Sequence, residues 1–132
     1  MKREFEIISE LLPNDTRVLD IGCGDGTLIN FLSKEKNIDV RGLELDEENV
    51  ETCISKGLSV IEGDAETELG QFPDKSFDFV ILSQTLQAFY SPVTVLDHLL
   101  RIGKSSIVSI PNFGYWKVRA DLLFFGKMPE TK

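Results

Sequence analysis

The sequence predicts an α/β fold, a mainly parallel twisted sheet flanked by helices, and three observations carry that expectation. Short apolar runs recur between segments of helical period, the pattern of strands joined by crossover helices. The first run, Val18 to Ile21, breaks into three glycines at alternate positions, Gly22, Gly24 and Gly26. The run from Phe77 to Leu82 is nearly all apolar, as expected of a strand covered on both faces.

Each element follows from local pattern. Residues 2–12 place Phe5, Ile8, Leu11 and Leu12 on one helical stripe, which Pro13 stops. Arg17–Ile21 reads as the first strand, and a helix over about Thr27–Glu35 buries Leu28, Phe31 and Leu32. Asp39–Leu45 reads as the second strand. Asp46 then caps a helix with acids in its first turn, with Val50, Cys53 and Ile54 inward and Gly57 as its stop. The third strand is Ser59–Glu62, followed by the turn Gly63-Asp64-Ala65-Glu66, and the fourth is Phe77–Leu82.

Ser91-Pro92 reads as a cap and first helical position for a helix to Ile102, with Val93, Leu96, Leu99 and Leu100 inward. Gly103 ends that helix, and Ser106–Ile110 reads as a fifth strand closed by Pro111. Strands and helices alternating at this spacing imply right-handed crossovers.

Composition narrows the class. At 132 residues the chain is one domain by length, and 42% hydrophobic with 27% charged residues is ordinary for a soluble globular protein. No apolar run approaches the roughly 20 residues needed to span a bilayer. The first six residues carry acids where a signal peptide would be apolar, so a cytoplasmic protein is expected. Cys23 and Cys53 lack metal-ligand spacing; Cys23 reads as a small filler in a tight loop and Cys53 as a core residue. No metal is expected.

The net charge is −8. Residues 111–132 carry four basic residues and two acids, or +2, which leaves −10 on the first 110. An acidic body argues against a nucleic-acid backbone as the main partner.

The glycine segment is the strongest functional signal. Glycine accepts positive φ and lets a ligand approach the backbone with no Cβ in the way. A strand, a glycine turn and a helix, followed about 20 residues on by the acid Glu44, form an arrangement for gripping a nucleoside. The Glu44 carboxylate can accept hydrogen bonds from both ribose hydroxyls. The spacing Gly-x-Gly-x-Gly is one residue shorter than the dinucleotide pattern, and Asp20 stands two positions before the first glycine. An acid there suits a cationic amine better than a pyrophosphate, which weakens a nicotinamide-dependent dehydrogenase reading. A plain strand-to-helix turn with a surface Glu44 is the competing interpretation.

Asp20-Ile21-Gly22-Cys23-Gly24-Asp25-Gly26 together with Glu44 resembles the cofactor site of class I methyltransferases, a Rossmann-like fold that binds S-adenosylmethionine. The resemblance implies S-adenosylmethionine or S-adenosylhomocysteine as cofactor, Asp20 and the glycines along its methionine and sulfonium part, and Glu44 on its ribose. It also implies Asp64 at the adenine amino group, although a solvated turn acid explains Asp64 as well. Ser83 and Gln84, after the fourth strand, would lie beside the sulfonium, and a helix-capping turn explains Ser83 equally. The full set of candidate cofactor contacts is Asp20, Gly22, Cys23, Gly24, Gly26, Glu44, Leu45, Asp64, Ala65, Ser83 and Gln84.

Ser-Gln-Thr-Leu at 83–86 lacks the prolines and aromatic residue of the methyltransferases that act on DNA bases. His98, mid-helix beside Asp97, reads as a surface residue, and no catalytic residue is assigned.

Three further segments sharpen the resemblance: Ile81–Ala88, Ser109–Trp116 and Gly126–Lys132. They are similar to the MetW family of methionine biosynthesis proteins, and the similarity runs from about Asp15 to the last residue. It implies a role in methionine biosynthesis with homoserine O-acyltransferase as partner. A full methyltransferase sheet has seven strands against the five counted here, so C-terminal strands are expected to be missing and the fifth strand to be an exposed edge. The aromatic run Phe113, Tyr115, Trp116, Leu122, Leu123, Phe124 and Phe125 would pack within the chain or in a homodimer, or residues 116–125 would form a helix covering that edge.

Overall fold

The computed structural model describes residues 2–82, 89–110 and 114–119. Its elements run α1 (Lys2–Leu11), β1 (Arg17–Ile21), α2 (Thr27–Glu35), β2 (Asp39–Glu44), α3 (Glu47–Ser55), β3 (Val60–Glu62), α4 (Ala65–Glu68), β4 (Phe77–Leu82), α5 (Pro92–Ile102), β5 (Gly103–Ile110) and β6 (Gly114–Arg119). A short 3₁₀ turn, Leu69–Gln71, follows α4.

The sheet has the order β3-β2-β1-β4-β5-β6. β1 through β5 pair in parallel, and β6 returns antiparallel along β5 from Ile110↔Gly114 to Ser105↔Arg119. The chain builds outward from β1 to β3, then crosses back to place β4 on the other side of β1. That reversal opens a crevice beyond the carboxyl ends of β1 and β4, where such sheets bind ligands.

Side chains alternate across the pleat and feed two cores. Val18 and Ile81 join Ile8, Leu12, Leu28 and Leu32 on the face under α1 and α2. Leu19, Ile21, Val80 and Leu82 join Leu69, Leu99 and Ile102 on the face under α5. Phe5 of α1 meets Phe31 of α2 with ring centroids 5.8 Å apart, so Phe31 is a packed rim residue, not a fully buried one. Each fully buried Leu or Ile contributes about 1.5–3 kcal/mol.

Four sequence expectations are corrected. A sixth strand covers β5, so β5 is not the edge, and residues 116–119 of the expected helix are strand. Phe113 and Leu122–Phe125 lie outside the described residues. β5 begins at Gly103, three residues early. A Cβ there would stand 2.7 Å from Val80 Cγ2 and 2.9 Å from the Ser105 carbonyl oxygen, so glycine permits the direct reversal from α5 into the sheet. Ile54 and Val93, expected inward, are 61% and 72% exposed, because a stripe read from period alone drifts at helix ends. Finally, Ser91 makes no side-chain cap bond, although Pro92 does open α5.

Among the described residues, no helix is long and apolar enough to cross a membrane.

Candidate functional site

The loop after β1 is shaped by where its backbone bonds go. Gly22 N–H and Cys23 N–H donate to the Leu43 carbonyl at 2.8 and 3.4 Å, which binds the start of the loop to β2. Gly22, Gly24 and Gly26 all hold positive φ, at 74°, 61° and 86°. Gly26 is packed from behind: a Cβ would stand 2.5 Å from Leu58 Cδ1 and 2.9 Å from Cys53 Sγ. Gly24 faces the other way, and a Cβ on it would meet nothing within 4 Å.

Glu44 is the acid that ties this loop down. It is buried, at 5% exposure. Its Oε1 accepts from Gly24 N–H at 2.8 Å, and its Oε2 accepts from Asp46 N–H at 3.0 Å. One carboxylate therefore joins the glycine loop to the entry of α3. Hydrogen bonds to a charged group contribute about 1.5–3 kcal/mol each, which offsets much of the cost of burying it. Asp46 in turn caps α3, its Oδ1 accepting from Glu48 N–H at 3.1 Å.

Behind the loop lie both cysteines, buried and reduced. Cys53 Sγ–H donates to the Gly24 carbonyl at 3.4 Å. Gly42 leaves the room that Cys23 fills, since a Cβ there would come 2.6 Å from Cys23 Sγ. Burial first, then the charge of Asp20, pushes the Cys23 thiol well above its ordinary value. Burial also raises Cys53. These are neutral packing groups, as the sequence suggested. Asp25, at the loop's exposed edge, accepts from the Thr27 hydroxyl at 2.6 Å and from Thr27 N–H at 3.1 Å. Those bonds hold its carboxyl below the usual range.

A cavity of about 250 Å³ opens beyond the carboxyl ends of β1, β2 and β3. Ile21, Gly22, Leu43 and Leu45 line it from the carboxyl ends of β1 and β2. Gly63, Asp64, Ala65 and Glu66 also line it, together with Phe89 and Tyr90. Apolar walls with a few polar groups suit a small organic ligand.

The expected residues divide into three groups. Gly22, Leu45, Asp64 and Ala65 line the cavity. Asp20, Cys23, Gly24, Gly26 and Glu44 do not line it. Of these, Gly24 and Glu44 build the adjoining loop, Cys23 and Gly26 pack its back, and Asp20 is fully buried in β1. Ser83 and Gln84 lie outside the described residues. Glu66, Phe89 and Tyr90 were not foreseen. The aromatic pair just before a helix start was the readable signal for the last two; nothing local marked Glu66.

The geometry has a counterpart in known proteins. The sequence profile of the family described as methionine biosynthesis protein MetW matches residues 2–132. The chain belongs to the MetW family. A curated relative from Rhodopirellula baltica, the bifunctional methionine biosynthesis protein MetXA/MetW, is 35% identical over 134 residues. The alignment takes in 96% of this chain and 22% of the relative, so the MetW chain spans about a fifth of that protein's length.

Solved structures share the fold. An S-adenosylmethionine-dependent methyltransferase from Thermotoga maritima matches with TM-score 0.67 at 29% identity, over 81% of this chain and 49% of that one. A TehB-like methyltransferase from Corynebacterium glutamicum matches with TM-score 0.65 at 23% identity, over 80% of this chain and 60% of that one. The [4+2]-cyclase SpnF reaches TM-score 0.71 at 24% identity, over 80% and 43%. A MetW chain therefore has a Rossmann-like methyltransferase fold, and the cyclase is a reminder that this fold carries more than one chemistry.

Proposed function

We propose that residues 1–132 form one cofactor-binding domain that takes S-adenosylmethionine or S-adenosylhomocysteine and acts in methionine biosynthesis beside homoserine O-acyltransferase. The observation that carries the cofactor reading is Glu44, a buried carboxylate fixed by two backbone N–H groups between the cavity-lining residues Leu43 and Leu45 in sequence. A carboxylate offers about four acceptor sites, so two remain for the hydroxyls of a ribose.

The residues present fit the group. Leu45 and Phe89 offer apolar faces to a heterocycle, Asp64 offers an acceptor to an amine, and Gly24 leaves its outer side open. When bound, S-adenosylmethionine supplies an electrophilic methyl group on a sulfonium. The chain's own part is to bind and orient it: Gly22 and Gly24 bring backbone close, Glu44 holds the loop, and Asp20, Cys23 and Gly26 support the loop from within. Ala65, and Ser83 and Gln84 after β4, complete the proposed contacts.

The partner reading draws on the Rhodopirellula baltica relative, whose name joins MetXA and MetW in one chain. Tethering two modules raises their effective concentration, which matters when one acts on the other. A MetW chain that binds a methionine-derived cofactor could then bias its partner's state. The expected compartment is the cytoplasm.

A second reading, an active small-molecule or protein methyltransferase with no acyltransferase partner, is favoured by the 29% identical Thermotoga maritima methyltransferase. Acyltransferase activity assayed with and without this chain, at several S-adenosylmethionine concentrations, separates the two. Activity that depends on both supports the partner reading. Unchanged activity alongside methyl transfer to an acceptor replaces it with the second. Calorimetry tests the site itself: S-adenosylhomocysteine should bind and NAD should not, and binding of NAD alone would overturn the cofactor assignment.

A further inference from the structure

Glu66 lines the cavity but lies outside the glycine loop. It follows Asp64, which caps the short helix α4: Oδ1 accepts from Glu66 N–H at 3.0 Å. The Asp64 carbonyl takes Thr67 N–H at 3.0 Å and Glu68 N–H at 2.8 Å. From that turn the Glu66 side chain reaches 25 residues along the sequence, and its Oε2 accepts from Ser91 N–H at 2.7 Å.

The start of α5 needs such a partner. Ser91 makes no side-chain cap bond, and Pro92 at the first helical position has no N–H. The Glu66 carboxylate instead takes the N–H of the N-cap residue itself, from another element, at the positive end of an 11-residue helix. Phe89 and Tyr90, which line the same cavity as Asp64 and Ala65, lead directly into Ser91. Phe89 packs against the core cluster that holds Ala65 and Leu69, whereas Tyr90 is 98% exposed. A helix of four residues is marginal on its own, and α4 is held by the Asp64 cap and by the Glu66–Ser91 bond.

We propose that Glu66 is a positioning residue that joins two segments of the cavity lining, so that a ligand touching both is felt at the first turn of α5. The proposal rests on the cofactor reading above. A ligand that contacts both Gly63–Ala65 and Phe89–Tyr90 favours the arrangement in which the Glu66–Ser91 bond is closed. The closed bond in turn favours the ligand, as reciprocal coupling requires.

The test uses the full chain with S-adenosylhomocysteine as probe. Calorimetry gives the affinity of wild type, Glu66→Ala and Glu66→Gln, and amide hydrogen exchange follows Ser91 with and without the probe. Glu66→Ala should bind about tenfold more weakly, a factor that corresponds to about 1.4 kcal/mol. Glu66→Gln keeps an acceptor for Ser91 N–H and should restore affinity to within about threefold of wild type. In wild type the probe should slow Ser91 exchange at least fivefold, and in Glu66→Ala it should not. A bond with no role in binding would leave Ser91 exchange indifferent to the probe, and that result overturns the proposal, as does wild-type affinity in Glu66→Ala. Should Glu66→Ala fail to fold, the wild-type exchange experiment decides alone. If wild type itself does not bind the probe, the cofactor reading falls and takes this proposal with it, an outcome distinct from binding that ignores Glu66.

Discussion

The two ends of the same strands treat charge in opposite ways. At the amino ends, Arg17 and Arg41 lie 4.0 and 3.8 Å from Asp39, and Lys104 lies 3.2 Å from Asp78. Arg17 and Asp39 keep about half of their side-chain surface in water, at 53% and 52% exposure. At the carboxyl ends, Asp20 and Glu44 are 0% and 5% exposed. Burying a carboxylate is costly unless it is bonded, and Glu44 is bonded to two backbone N–H groups. Solvated pairs need no further purpose than solubility. A withdrawn acid that organises a loop at a sheet crevice implies a site, and the contrast can be broken or sharpened by substitution.

The largest effect should come from within the loop. Gly26→Ala forces a Cβ into Leu58 and Cys53 at positive φ, and should cost about 2–4 kcal/mol of stability. Gly24→Ala meets nothing within 4 Å and should cost only the conformational penalty, about 1–2 kcal/mol. Urea denaturation midpoints check the pair. Equal midpoints would show that the loop does not have a packed back and an open front.

Next in size is the acid itself. Glu44→Ala should weaken S-adenosylhomocysteine binding by about 1–3 kcal/mol, since it removes both the proposed ribose acceptor and the tie to Gly24. Glu44→Gln keeps one acceptor and turns an amide donor toward the other N–H, so it should fall between. Calorimetry that finds wild-type affinity in Glu44→Ala would leave this residue as a loop tie only.

How much of this was legible depended on whether the signal was local. The order of strands and helices followed from periodicity and glycine, down to Asp46 as the cap of α3 and the parallel apolar β4. Glu44 was visible because its spacing from the glycines is fixed by one strand–helix–strand unit. Its bond to Gly24 N–H was not, because nothing in a sequence says which lone pair is already taken. Glu66 and Ser91 lie 25 residues apart and meet only through the crossover between β3 and α5. β6 escaped because Gly114–Arg119 mixes aromatic and basic residues in a pattern that served equally well for a helix.

A smaller effect appears with pH. Cys23 and Cys53 have raised pKa values in the folded chain, with burial the main cause. An acid raised by folding favours the neutral form, so its stabilisation is complete below the unfolded value, near 8.5, and is lost as pH rises above it. Wild-type stability should therefore fall between pH 8 and pH 10, and the fall should be shallower in Cys23→Ala. Identical slopes in the two proteins would mean that Cys23 is not shielded from water. At the amino ends the sign reverses: Arg17 N–H, donating to Asp78 at 2.8 Å, is the first cause of that carboxyl's lowered pKa. Its contribution is present at neutral pH and is lost as pH falls below about 4.

The smallest effect belongs to the exposed pairs, and its smallness is what the contrast requires. Asp39→Asn removes the partner of both Arg17 and Arg41, yet at N···O separations of 4.0 and 3.8 Å, with half the surface in water, screening leaves little to lose. The urea midpoint should shift by under about 0.5 kcal/mol, and the shift should vanish in molar salt. Cofactor affinity should not change, because Asp39 and Glu44 sit at opposite ends of β2. A loss above about 1.5 kcal/mol, or one that persists in salt, would place buried electrostatic work at the amino ends as well. The carboxyl ends would then no longer be distinguished by how they hold charge, and Glu44 would lose its force as the mark of a site.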